Sequence, residues 1–184
     1  MATHLQAELT FTLAQYSIAG LKPDNEDAIG IRIPKGSLLS NKGAIAVIAD
    51  GVSAAEAGKE ASHTCVHNFM HDYYSTPDSW TVKRSTSQVL TALNRWLYSQ
   101  GRHYSDAKKG YVSTFSAIIF KSQTAHIFHI GDSRIYRLRG QDLEQITRDH
   151  STFISNEQSY LTRAMGLDVN IDVDYRSLDV EIGD

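Results

Sequence analysis

The apolar positions along the chain change period several times, and each change marks an element. In "ELTFTLAQYSIAG", residues 8–20, Leu9, Phe11 and Leu13 alternate with Thr10 and Thr12, which is the period of two of a half-buried strand. "KPDNED" then supplies Pro, Asp and Asn for a turn, and a short strand is predicted over residues 28–33. Residues 43–49 form an apolar run without alternation, the pattern of a strand covered on both faces. The run stops at Asp50-Gly51 and gives way to a segment in which Ala57, Ala61, Cys65 and Phe69 fall four residues apart, as on one side of a helix. Ser53 and Glu56 have the spacing of a capping box, so this helix is expected to start there and run to about Tyr74. A second helix over residues 82–104 carries Val89, Leu93, Trp96 and Leu97 on one side.

Period two returns at Val112. "VSTFSAIIFK", "TAHIFHI", "SRIYRLRG" and "DLEQIT" read as an antiparallel meander with turns at Gly131-Asp132 and Gly140-Gln141-Asp142. A short helix is expected after His150, and a strand within residues 169–180. Strands, then helices, then strands predict an α+β fold in which antiparallel sheets are covered by helices. At 184 residues and 41% hydrophobic composition, without a repeat or a linker-like stretch, the chain is expected to make one domain.

Charge and cysteine content narrow the function classes. The 18 basic and 21 acidic residues are mixed along the chain, so no global field gathers nucleic acid or anionic membrane. Cys65 stands alone, which excludes an intrachain disulfide and any cluster of thiolate metal ligands. The N-terminus has no basic segment followed by a long apolar one, and no apolar run approaches the roughly 18 residues of a membrane span. A soluble, cytoplasmic protein without a membrane segment is expected.

Four acidic points share one setting, a turn or the end of a predicted strand: Glu26 with Asp27, Asp50, Asp132, and Asp149. Carboxylates with a backbone carbonyl are the ligand set of hard cations such as Mg²⁺ or Mn²⁺. Gly51 lacks a Cβ, which lets its carbonyl approach an ion closely. Singly, Asp-Gly and Gly-Asp are ordinary turn dipeptides. Recurring at strand ends, they point to a cation site.

"KPDNEDAIG", "AVIADGVSAAEAGKEAS", "STFSAIIF", "HIGDSRIYRLRG", "LEQITRDHS" and "YLTRAMG" together resemble, in this order, the metal-dependent protein phosphatases, or type 2C serine/threonine phosphatases. The likeness runs from Leu9 to the last residue and is nearest to bacterial members, some of them fused to a protein kinase domain. It implies a four-layer α-β-β-α sandwich of two antiparallel sheets flanked by helices, with a two-metal centre at one end. By position, Asp50 would bridge the metals, Gly51 would lend its carbonyl, Glu26 and Asp27 would bind metal directly or through water, and Asp132 would help hold a third, weaker ion. The implied reaction is hydrolysis of phosphoserine and phosphothreonine in proteins by a hydroxide shared between two Mg²⁺ or Mn²⁺ ions. A cognate serine/threonine kinase is an implied partner, and a regulator-specific phosphatase acting on one anti-sigma-type protein is a narrower version of the same reading.

The sequence departs from the family in three places. Lys22 stands where many members have a phosphate-gripping arginine, offering a point charge in place of a bidentate fork. Val52-Ser53 stands where eukaryotic relatives often carry a histidine after the Asp-Gly. The sequence ends at Gly183-Asp184, before the strands that carry the family's two later metal-binding aspartates, so weak metal binding and slow turnover are expected. The competing reading is a non-catalytic phosphatase-like module that binds a phosphoprotein or a partner kinase. An uncovered sheet edge is also expected, with self-association through it.

Other conspicuous residues read as ordinary. His63, His67 and His71 lie nearly opposite the alanine stripe and are expected to face solvent. His126 and His129 fall on opposite faces of one strand, so they are no metal pair. Asp149-His150-Ser151 are adjacent and cannot line up as a triad. Arg134, Arg137 and Arg139 read as a solvated strand, and Trp80 and Trp96 as packing residues.

Overall fold

A computed structural model describes residues 10–104, 110–155 and 158–184. Among these, strand β1 (Asp27–Arg32), a short helix α1 (Ser37–Lys42), β2 (Ala44–Asp50), and helices α2 (Gly58–Ser75) and α3 (Val82–Gly101) come first. Strands β3 (Phe115–Lys121), β4 (Thr124–Ile130), β5 (Tyr136–Arg139), β6 (Asp142–Gln145), β7 (Ser151–Ser155), β8 (Gln158–Leu161) and β9 (Asp174–Asp179) follow. The main sheet is antiparallel with strand order β1-β2-β3-β4-β9, while β5-β6 and β7-β8 are separate two-stranded ribbons. The expected α+β class with antiparallel sheets and helices over them is what forms.

One face of the sheet makes the core. Ile45, Val47 and Ala49 of β2 and Phe115, Ala117 and Ile119 of β3 point the same way and are buried with Ala61, Cys65 and Phe69 of α2 and Leu90 and Leu97 of α3. The alanine stripe therefore does what its spacing predicts. It brings α2 close to the sheet, and the Phe69 ring meets Phe115 edge-on, with centroids 4.9 Å apart. Gly30 takes the approach further, since a Cβ there would collide with the Met70 and Val66 side chains of α2. The opposite face of β2 is open enough to leave Ile48 37% exposed, so the strand is covered on one face and not on both.

Several elements differ from the reading of the sequence. Residues 10–19 form no strand, and Leu13, Tyr16 and Ile18 are exposed. Alternation fixes which side chains share a face, but a strand also needs backbone pairing, and this segment pairs with no strand among the described residues. Phe11 packs instead on Phe120, and Leu9 lies outside the described residues. After His150 the chain makes the β7-β8 ribbon in place of a helix, in keeping with the β-branched and aromatic content of "STFIS". Helix α2 begins at Gly58 with Ala57 at its N-cap and no side-chain cap. The "SLLSNK" helix α1, which has no clear period, was not legible. No helix is long and apolar enough to cross a membrane among the described residues.

Candidate functional site

The register of β1 on β2 sets Asp27 directly opposite Asp50. Gly51 N–H donates to Glu26 O at 3.1 Å, which makes the neighbouring Asp27/Asp50 pair a non-hydrogen-bonded one, whose side chains lie closest. Two carboxyl groups are thus brought side by side at the end of the sheet. Burial is the first cause that pushes Asp50 up to about 6, and the adjacent Asp27 charge and a hydrogen bond shared with Asp27 push the same way. Lys22 opposes the shift and Asp132 adds to it, so both are within electrostatic reach.

The loops around this pair are tied down by named groups. Asn25 Oδ1 accepts from Asp27 N–H at 3.0 Å, while its Nδ2 donates to Ser17, so the turn before β1 is held by an Asx bond. Ser62 at the start of α2 donates to Glu26 O. Ser53 donates to Glu26 Oε2 at 2.5 Å and accepts from Lys22 Nζ at 2.6 Å. Ser53 lies four residues before the Ala57 N-cap and serves this contact in place of capping α2. Gly51 packs against the first residue of α2, where any Cβ would strike the Gly58 carbonyl, so close packing alone demands glycine there.

On the far side, Thr114 takes hold of both backbone groups of Asp50. Thr114 N–H donates to Asp50 O at 2.9 Å, and Asp50 N–H donates to Thr114 Oγ1 at 2.9 Å. Ser113 Oγ adds a donor to Asp50 O at 3.0 Å. Thr114 Oγ1 also meets Ser133 Oγ at 2.8 Å, next to Asp132. Behind that loop His150 Nδ1 accepts from Gly131 N–H at 3.2 Å, which leaves the proton on Nε2 to be given to Asp174 at 3.0 Å. His129 is likewise fixed: its Nε2 faces Arg148 O and its Nδ1 faces Ser116 Oγ, and burial pulls its pKa down.

Of the residues expected at the site, Glu26, Asp27, Asp50, Gly51 and Lys22 come together, and Asp132, on the loop after β4, lies within electrostatic reach of Asp50. Asp149 does not join. Its carboxylate is forked by Arg134 Nε and Nη2 at 2.5 to 3.1 Å, and that guanidinium holds it below the usual carboxylate range. Arg137 pairs with Glu144, and Arg139 with Glu181 and Asp184, as a solvated strand would have it. His63, His67 and His71 are exposed, and His126 and His129 lie on opposite faces of β4. Trp80 stacks under Arg84, and Trp96, 44% exposed, meets Tyr111 edge-on. Asn25, Ser53, Thr114 and His150 were missed as supporting residues. Asn25, Ser53 and His150 have proximity to an acidic point as their only sequence signal, and Thr114, far from any acidic residue in the chain, has none.

Among the described residues, no three His, Cys, Asp or Glu side chains converge as they stand to hold a cation. The donor set nevertheless suits one. Two carboxyls set side by side, with Glu26 one residue away, are hard oxygen donors whose mutual repulsion raises Asp50 and would be relieved by a divalent cation. A groove opens at Asp27 and is lined further along by Asn25, Lys59, His63 and Arg32.

Residues 22–179 match the family model described as Protein phosphatase 2C. The chain is similar to the serine/threonine phosphatase stp of Listeria welshimeri, 28% identical over 157 residues that cover 71% of this chain and 58% of that protein. The chain thus spans little more than half the length of such relatives. Among solved structures it is similar to PppA, described as a key regulatory component of T6SS in Pseudomonas aeruginosa, at 25% identity and TM-score 0.70, covering 90% of this chain and 70% of that one. It is also similar to the catalytic domain of the serine/threonine protein phosphatase PstP, solved with two manganese ions, at 26% identity and TM-score 0.65, covering 88% and 68%.

Proposed function

The chain belongs to the protein phosphatase 2C family, and we propose that the cluster at the ends of β1 and β2 hydrolyses phosphoserine and phosphothreonine in proteins with Mg²⁺ or Mn²⁺ as cofactor. The observation that carries this reading is the cross-strand Asp27/Asp50 pair, two carboxyl groups set directly opposite each other at the end of the sheet. Asp50 and Asp27 would hold the cations, with Glu26, the Gly51 carbonyl and Asp132 completing the oxygen donors. Bound there, the cations supply charge neutralisation at the phosphoryl oxygens and acidify water for attack on phosphorus. Lys22 stands at the mouth of the cluster, 53% exposed, where its ammonium can meet an incoming phosphate. The relatives' names support the substrate class, and the manganese-bound relative supports the cofactor. The test is hydrolysis of p-nitrophenyl phosphate and of a phosphothreonine peptide with Mn²⁺ and with EDTA. Turnover is expected to require Mn²⁺ and to fall by at least about 100-fold in Asp50→Asn, the cost of losing a metal-binding carboxylate. Turnover that survives EDTA, or that persists in Asp50→Asn, would sink the proposal.

One observation favours the second reading, a phosphoprotein- or kinase-binding module without turnover. The Glu26 carboxylate is already engaged by Lys22 and Ser53. Calorimetric binding of a phosphopeptide, at an affinity indifferent to Mn²⁺ and without hydrolysis, is the outcome that reading requires.

A further inference from the structure

Asp50 and Asp132 reach the site from strands that are not neighbours. Asp50 ends β2 and Asp132 follows β4, and β3 lies between them in the sheet. Whatever fixes one carboxylate relative to the other has to cross β3, and at the level of the site the residue that crosses is Thr114, one before β3 begins. Thr114 is 1% exposed. Its N–H and its hydroxyl oxygen hold the two backbone groups of Asp50, and the same hydroxyl meets Ser133 Oγ at 2.8 Å. Its methyl and Cβ press on the other end of the loop: a Cβ on Gly131 would lie 2.6 Å from Thr114 Cβ and Cγ2, and Gly131 has φ +113°. Asp132 therefore sits between two pinned residues. His150 grips Gly131 on both sides, accepting its N–H on Nδ1 and donating its own N–H to Gly131 O at 2.7 Å, and Thr114 holds Ser133.

We infer that Thr114 is a positioning residue: its hydroxyl holds the Gly131-Asp132-Ser133 loop in register with Asp50, so that the two carboxylates present one pre-set spacing to bound cations. No other single side chain described at the site bonds both to Asp50 and to the Asp132 loop. A valine at 114 keeps the shape and the Gly131 contact but removes the shared oxygen, while a serine keeps the oxygen and loses the methyl. The two variants separate the hydrogen-bonding role from simple packing.

The inference rests on the phosphatase reading only for its metal-binding arm, so the experiment has a metal-free arm as well. In EDTA, amide exchange at Asp50 and ¹⁵N relaxation at Gly131, Asp132 and Ser133 are measured for the wild type, Thr114→Val and Thr114→Ser. Valine is expected to deprotect the Asp50 amide at least about tenfold and to loosen the loop, and serine to stay near wild type. Mn²⁺ titration by calorimetry, with the Mn²⁺ dependence of kcat and KM, forms the second arm. Valine is expected to raise the Mn²⁺ needed for half-maximal rate about 10-fold or more while Thr114→Ser restores it. Unchanged exchange and relaxation in Thr114→Val would overturn the inference whatever the chain catalyses. So would a serine variant as impaired as the valine, because packing would then be the whole effect. If the wild type takes up no Mn²⁺ while the metal-free arm behaves as expected, the phosphatase reading fails and the positioning role stands.

Discussion

Lys22 holds Ser53 and Glu26 with one ammonium, and that limits what it can do for a phosphate. A hydrogen bond to a charged group is worth about 1.5–3 kcal/mol when shielded from water, but Lys22 is 53% exposed, so the lower end or less applies. Lys22→Ala is expected to raise KM for a phosphopeptide roughly 3- to 10-fold with a smaller change in kcat, and Lys22→Arg to recover it through the bidentate fork. The same deletion frees Glu26, so less Mn²⁺ should be needed for half-maximal rate. Steady-state kinetics over a grid of peptide and Mn²⁺ concentrations checks both effects. A KM that does not move assigns Lys22 to the Glu26 contact alone. At this scale the sequence shows which residue types bear charge at which strand ends. It does not show that Ser53 is spent on Glu26, because a capping spacing and a long-range contact are identical on paper.

Among the elements, α1 owes its existence to a contact rather than to propensity. It has six residues, and its last one, Lys42, is 2% exposed. Its ammonium donates to Thr76 O at 2.6 Å, Thr76 Oγ1 at 2.8 Å and Pro77 O at 2.9 Å, at the C-terminal end of α2, with Asp78 at 3.8 Å. A cation there satisfies carbonyls that the ending helix leaves open and meets the negative end of its dipole. Tyr73 OH closes the arrangement by donating to Lys42 O at 2.8 Å. Burial pulls the Lys42 pKa down, yet the three acceptors keep the ammonium satisfied. Lys42→Met keeps the length of the stem and leaves those acceptors without a donor, so it is expected to cost about 3 kcal/mol, or roughly 6–12 °C in melting temperature. Thermal and denaturant unfolding followed by circular dichroism measures it, and a loss under about 1 kcal/mol would refute the clamp. The contrast with α2 is instructive. Its four-residue stripe was legible because core packing leaves a period, whereas a helix tied down through polar contacts of Asn41 and Lys42 leaves none. Residues 10–19 make the converse point, with a clear period of two but no backbone pairing to turn it into a strand.

At the scale of the whole molecule, the sheet order decides what the site is. The sequence lines up Asp27, Asp50 and Asp132 as acidic strand ends. Only the register of β1 on β2 makes Asp27 and Asp50 immediate partners, and only the position of β3 makes Thr114 their link to Asp132. The resulting concentration of carboxylates has a cost that is visible in stability. Asp50 titrates near 6 in the folded chain against an ordinary value of 3.8. The native state therefore holds that proton more tightly than the unfolded one, and stability falls as pH rises from about 4 through about 6, staying low above it. Asp50→Asn removes the ionisation while its amide can still hydrogen-bond Asp27. In EDTA at about pH 7.5 the variant is expected to melt a few degrees above the wild type, and at about pH 4 the two should converge. Mn²⁺ should reverse the order at the higher pH, because the wild type gains binding energy that the variant cannot. Calorimetric melting at both pH values, with and without Mn²⁺, decides it. A variant that melts lower than the wild type without metal would mean that Asp50 stabilises the fold through its hydrogen bonds, and that no electrostatic strain is held at this end of the sheet for a cation to relieve.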